Sequence, residues 1–384
     1  MTNRKIAVLL LSFLVYILAV ANKTSNAKDY ATVLSTRVIC QQPDRYAGWP
    51  TISKTQEGEL LVVFSGDRDW HVCPWGKTYL IRSSDNGQTW SEPEVINNTP
   101  LDDRDAGIVV SQKGTIIVSW FTSLAFTDNK SKFYSSRYSR YSRHAEKLTH
   151  EIREQWLGNW IRRSVDGGKT FSDPISTPGN SPHGPIRLSD GRLLYVTNKG
   201  IAESKNDGLS WEEIGKIPTD DKTRTLSEVH AVEATDGRII ALSRAAYLRQ
   251  SFSKDGGYTW SLPIVTPMQG YPAHLIKLSN DWILATYCLR NGLKPGQRAC
   301  VSKDNGETWD IDNEIILSVP VMPEESIYDY PPNWDIGYPS SVELDDGSIY
   351  TVYYQMPSKD EKPAIMATHW KINKDIKPTK KENK

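Results

Sequence analysis

Six short stretches of this 384-residue chain gather acids, bases and cations. They are Ala47-Gly48-Trp49-Pro50, Asp103-Arg104-Asp105, His183-Gly184-Pro185, Glu228-Val229-His230, Tyr271-Pro272-Ala273-His274 and Tyr338-Pro339-Ser340. Imidazoles and carboxylates can pass protons near neutral pH, and guanidinium groups hold planar anions through two parallel hydrogen bonds. Arg68, Asp69, His71, Arg244, Arg290 and Gln355 follow later, at or just beyond the end of the second apolar run of their units. Four of the seven histidines, His71, His183, His230 and His274, fall in this set, the concentration expected of a functional centre. Asp103, Arg104 and Asp105 read equally well as substrate contacts or as ion pairs tying neighbouring sheets. His71, Cys73 and the other histidines lack tight ligand spacing, so neither a metal nor a cofactor is expected.

Each stretch precedes an alternating apolar run, a turn, and a second alternating run, the signature of a β-hairpin. The turns fall at Glu57-Gly58, Lys113-Gly114, Asp190-Gly191, Asp236-Gly237, Asn280-Asp281 and Asp346-Gly347. The first five hairpins are each followed by Ser-x-Asp-x-Gly-x-Thr-Trp or a close variant, at 83–90, 164–171, 204–211, 253–260 and 302–309. Asp can bond backbone amides a few residues on, and Gly can take a positive φ, so this motif is turn chemistry joining two more strands. The third copy has Asn206-Asp207-Gly208 and Ser210, which predicts a looser turn.

Six four-strand units with almost no helical periodicity predict an all-β fold, a six-bladed β-propeller of four-stranded antiparallel sheets. The last unit takes one strand from 364–372 and another from the segment around Arg37 to Cys40, closing the ring with both chain ends. Hairpin turns and Asp-motif turns then share one face. The long insertions 65–75, 121–160 and 310–336 lie on the other face, where the innermost strands begin, so the six stretches converge in one funnel. Within 121–160, a short helix is expected over that funnel.

With these repeats in place, the chain resembles the sialidase, or Asp-box neuraminidase, superfamily over nearly all of its length. The resemblance implies a Tyr nucleophile at Tyr338, in Gly337-Tyr338-Pro339-Ser340, with Glu228 as its partner carboxylate. It implies Asp69 as acid/base, with Asp67 as neighbour, and Arg244 and Arg298 as two of three arginines that clamp a substrate carboxylate. The first clamp residue departs from the pattern: Gly48-Trp49-Pro50 stands where the family carries Arg-Ile-Pro, unless Arg68 or Arg104 substitutes. A tyrosine nucleophile suits an anomeric centre that carries a carboxylate, because a neutral phenol approaches it without charge repulsion. The expectation is therefore an exo-glycosidase acting on a terminal, acidic sugar, with a glycan as its partner and Arg68, Asp103, Arg104, Asp105, His183, His230, His274 and Trp49 lining the site. Two alternatives stand beside it: a polysaccharide lyase with His183 or His230 as base, and a glycan-binding propeller without turnover.

Composition narrows the field from another side. Forty-six basic residues balance 46 acidic ones, which excludes a nucleic-acid binder driven by bulk charge. Trp and Tyr, 13 and 18, outnumber the 7 Phe, favouring rings with a polar handle of the kind that lines sugar sites. Residues 1–21 combine Arg4 and Lys5 with a short apolar run ending in Ala19-Val20-Ala21, which reads as a secretory signal and predicts a secreted or periplasmic protein. The propeller is expected over 28–373 and a solvated Lys-rich tail over 374–384. Export makes Cys40, Cys73, Cys288 and Cys300 disulfide candidates, with a Cys288–Cys300 pair favoured across a predicted hairpin.

Overall fold

A computed structural model describes residues 30–127, 138–220, 226–291, 294–321 and 335–373. The secretory signal and the Lys-rich tail lie outside the described residues. Six four-stranded antiparallel sheets form the six blades of a propeller. Blade one runs Tyr46–Lys54, Leu60–Arg68, Lys77–Ser83 and Glu94–Asn97 from the axis outward, and the next four repeat that order. The innermost strands of blades two to six are Asp102–Val110, Ile186–Arg187, Val229–Glu233, Tyr271–Lys277 and Gly337–Glu343. In blade six, Ala31–Cys40 pairs antiparallel with Ala364–Ile372 as the outermost strand, so both ends of the fold share one sheet, as expected.

Alternation along the strands builds the core. In Leu60–Arg68, Leu60, Val62 and Phe64 pack against blade six with Val352, Tyr354 and Ile365. The intervening Leu61 and Val63 pack against blade two with Ala106, Ile108 and Val110. A central sheet buried on both faces needs this doubled pattern, and each such side chain contributes about 1.5–3 kcal/mol of burial.

The Ser-x-Asp-x-Gly-x-Thr turns are closed by their own side chains. Ser83 Oγ receives the Gly87 N–H at 2.9 Å, Asp85 Oδ1 receives the Thr89 N–H at 2.9 Å, and the Thr89 hydroxyl donates to Asp85 Oδ2 at 2.6 Å. The third turn is not looser. Asn206 Oδ1 accepts the Ser210 N–H at 2.9 Å, and its Nδ2–H donates to Ser210 Oγ at 2.8 Å, so the amide reproduces both contacts with the donor reversed on one side. Arginines of one blade latch the turn of the next. Arg82 donates to the carbonyls of Gly167 and Gly168 at 2.8 and 2.7 Å, Arg163 to Asp207 at 2.6 Å, and Arg37 of blade six to Gln88 at 3.1 Å.

Two expectations are corrected. All four cysteines are free and buried. Cys288 faces Gln297 and Cys300 faces Ala285 in the ladder, a register offset that keeps the two sulfurs from bonding. Among the described residues the blade-two insertion carries two α-helices, not one: α1 (Tyr138–Ala145) and α2 (His150–Trp156), the second capped by Thr149, whose side chain accepts the Ile152 N–H. Tyr141 anchors them beside Leu101, Phe126 and Leu148.

Candidate active site

Five of the six blades break their backbone at the same place. Trp49, Asp105, His183, Glu228 and Tyr338, each at the start of an innermost strand, take left-handed φ values of 53, 49, 71, 48 and 52°. Register shifts at Gly48/Thr51, Arg104/Gly107 and Gly337/Ser340 mark the accompanying bulges. A residue with a Cβ in this region costs about 1–3 kcal/mol, and such strain concentrates where side chains must be re-aimed for function. Here it turns a ring of side chains toward the axis.

Two of the five meet directly. The Tyr338 hydroxyl donates to Glu228 Oε1 at 2.6 Å, and the Arg244 guanidinium bonds the same oxygen at 2.6 Å. Glu228 Oε2 is buried without a hydrogen-bond partner among the described residues. Burial, followed by the negative charges of Glu228 and Asp105, raises the Tyr338 phenol well above its ordinary value. The phenol is neutral at rest, with its proton already aimed at a carboxylate.

Arg290 lies over the Tyr338 ring, 5.6 Å from its centroid. Its Nε–H donates to the Ile336 carbonyl at 2.7 Å and an Nη2–H to the Tyr354 hydroxyl at 2.9 Å. Tyr354 in turn donates to Asp335 Oδ1 at 2.8 Å, which also meets His71 Nδ1 at 2.9 Å. Burial pushes the Asp335 carboxyl up, but the His71 and Arg290 charges and the Tyr354 bond prevail and bring it down to about 2. This network fixes Arg290 beside the phenol.

Trp49 stands where the resemblance led to the expectation of an arginine. Arg68 and Arg104 lie against its ring, 4.7 and 4.6 Å from the centroid. Arg68 is fully buried and held by both oxygens of Asp102 at 2.6 and 2.9 Å, so it is structural. Arg104 forms no ion pair among the described residues, is only partly buried, and stacks on Trp49 and Phe121. Of the two candidate substitutes, Arg104 is the one with donors to spare.

Other expected residues lie apart from this cluster. The side chain of Asp69 bonds Arg45 through Oδ1, and Oδ2 accepts Trp75 Nε1–H at 2.8 Å and faces Arg140 at 3.3 Å. Burial raises its carboxyl, but the Trp75 bond and the Arg45 and Arg140 charges outweigh that and hold it below the usual range. Asp67 pairs with Arg45 and Lys77. Arg298 is paired with Glu314 and donates to the Lys294 carbonyl at 2.6 Å, and the arginine beside Tyr338 is Arg290. Asp103 accepts the Thr99 N–H and hydroxyl at 2.8 and 2.7 Å and supports its own loop. His183, His230 and His274 cluster with ring centroids 4.4–5.7 Å apart, His230 stacked on His274 and His183 edge-on to both, and His183 lies 6.1 Å from the Tyr338 ring. Backbone N–H groups of Leu275 and Ser341 donate to Nδ1 of His230 and His274, and burial keeps all three imidazoles neutral. No group of three or more His, Cys, Asp or Glu among the described residues has the geometry to hold a metal ion.

Sequence reasoning missed Asp335 and Tyr354. The spacing Trp334-Asp335-Ile336-Gly337-Tyr338 offered one sign, an acid three residues before the expected nucleophile.

The six-bladed propeller is the fold of solved sialidases, and this chain resembles the sialidase superfamily in both sequence and fold. No family model matches the chain. It is 25% identical over 258 residues to a sialidase of Paraclostridium sordellii, covering 57% of this chain and 58% of that protein. It is 23% identical over 320 residues to a sialidase of Bacteroides fragilis, covering 70% of this chain and 55% of that protein. The chain thus spans little more than half the length of these curated relatives. Among solved structures, a protein of unknown function from Dyadobacter fermentans superposes with a TM-score of 0.72 at 22% identity, over 89% of this chain and 99% of that one. The NanB sialidase of Streptococcus pneumoniae superposes at 0.59 and 15% identity, over 87% of this chain and 70% of that one.

Proposed function

We propose that the chain is a secreted exo-glycosidase that hydrolyses a terminal, carboxylate-bearing sugar from a glycan, with sialidase as the nearest named activity. The observation that carries this reading is the 2.6 Å bond from the Tyr338 hydroxyl to Glu228. Glu228 takes the phenol proton as the Tyr338 oxygen attacks the anomeric carbon, the glycosidic C–O bond breaks, and a glycosyl-tyrosine forms. Water then attacks that intermediate and the phenol regains its proton. Arg244 and Arg290 flank the phenol, and Arg104 supplies the guanidinium absent at Trp49, so a substrate carboxylate meets three cations.

A lyase is the second reading, and one observation favours it. The Thr51 hydroxyl donates to the Ala106 carbonyl at 2.9 Å, so its contact of 3.1 Å with His183 Nδ1 requires an Nδ1–H and leaves Nε2 with a free lone pair. Incubation with a panel of acidic oligosaccharides, read by mass spectrometry, separates the two. One sugar released with added water supports hydrolysis. Fragments lacking that water, with an unsaturated sugar, support the lyase, and no product after long incubation supports a binding propeller.

A further inference from the structure

We propose that Asp105 is the acid/base of this site, protonating the leaving oxygen from within the ring that carries Glu228 and Tyr338, an assignment that rests on the glycosidase reading. Asp69, the residue that the family resemblance puts in this role, has both oxygens engaged by Arg45, Trp75 and Arg140. It is an acceptor in an outer network and has no proton to give.

Asp105 differs on each count. It occupies blade two's copy of the left-handed position that holds Glu228 in blade four and Tyr338 in blade six. These are alternate blades of a six-membered ring, so Asp105 faces the meeting point of the other two across the axis, and a sugar seated on the phenol lies between them. Its side chain is 8% exposed, and Oδ1 is buried with no hydrogen-bond partner among the described residues. Nearly all buried polar atoms find a partner, and one that does not, in a strained residue on the axis, points to a group kept for a ligand.

The charged groups around it fit a proton donor. Arg104 and Arg68 favour its ionised form, whereas Glu228 and Asp102 oppose it. Burial dominates and pushes the carboxyl up to about 6, so it carries a proton below that pH. In the first step this proton moves to the glycosidic oxygen as that oxygen leaves and the Tyr338 oxygen bonds the anomeric carbon. In the second, the Asp105 carboxylate takes a proton from the attacking water as the carbon–tyrosine bond breaks, which restores every group.

The test uses the full chain and two readouts. In protein labelled with 13C at the Asp carboxyl carbons, one resonance titrates near pH 6, disappears in Asp105→Asn and persists in Asp69→Asn. An Asp105 resonance that titrates near pH 4 overturns the assignment without any substrate. On the acidic oligosaccharide that the panel identifies, Asp105→Asn loses at least about 100-fold in kcat/KM. On the 4-methylumbelliferyl glycoside of the same sugar, whose leaving group needs little protonation, the loss is under about 10-fold. Asp69→Asn loses the same factor on both. The reverse pattern, with Asp69→Asn alone sensitive to the leaving group, overturns the proposal and leaves the glycosidase reading intact. A wild-type chain that releases nothing from the panel removes the glycosidase reading and this assignment together.

Discussion

The guanidinium of Arg104 lies 4.6 Å from the centre of the Trp49 ring, against the strand on which the sequence led to the expectation of an arginine. The cation comes from the neighbouring blade and rests on the face of this aromatic ring. Stacking on an indole holds a planar guanidinium in one orientation and leaves its edge N–H groups free for an anion.

Arg104→Lys should therefore weaken binding of the acidic substrate, raising KM about 10-fold or more, because an ammonium neither stacks as a plane nor donates two parallel bonds. Its Tm should stay within a few degrees of wild type, since Arg104 forms no ion pair among the described residues. Steady-state kinetics beside a thermal melt check both. A fall in Tm with unchanged KM would make Arg104 structural.

Arg82 bridges blades one and two by donating to the Gly167 and Gly168 carbonyls. Arg82→Ala should lower stability by about 1–2 kcal/mol, read as a lower urea midpoint, and leave kcat/KM unchanged because this latch lies on the face away from the funnel.

Two buried carboxyl groups, Asp335 and Asp103, push the pH dependence of stability in opposite directions. Asp335, brought down to about 2, contributes stability that is present above its unfolded value near 4 and is lost as the pH falls from about 4 to 2. Burial raises Asp103 to about 7, so its contribution is present below about 4 and is lost as the pH rises through 7. The buried neutral imidazoles of His183, His230 and His274 act the other way below about pH 6.5, and Asp105, raised to about 6, has lost most of its contribution by then. The test is therefore Tm above about pH 6.5, which should fall up to about pH 7.5, and Asp103→Asn should flatten that fall. A decline that persists in the variant would assign it to other groups.

Because Cys40, Cys73, Cys288 and Cys300 are free and buried, a reductant should leave Tm unchanged. A thiol reagent should label them only after unfolding. A drop in Tm on reduction would show a bond between two of them.

The architecture was legible because it is repetitive. Six hairpins and five Asp-motif turns leave few ways to join the strands, and the convergence of Tyr338 and Glu228 follows from blade topology. What was not legible depends on partners outside the repeat. Asp69 and Arg298 lie at plausible offsets, yet Trp75, Arg45 and Arg140 engage one and Glu314 the other, through loop contacts that no spacing reports. Cys288 and Cys300 were misread because the ladder is offset by three residues from the one that would pair them, and an odd offset puts them on opposite faces. The left-handed ring escaped notice for a different reason: Trp, Glu and Tyr do not announce a positive φ by type, and Asp and His, though enriched there, take it at only a minority of positions.

The account turns on whether the Tyr338 oxygen forms the bond to the sugar. The direct measurement is turnover of an acidic oligosaccharide by wild type and Tyr338→Phe, with product mass read against time and folding checked by circular dichroism. The expected result is release of one acidic sugar with added water by wild type and a loss of about three orders of magnitude or more in the folded variant. Full turnover by Tyr338→Phe would contradict the account.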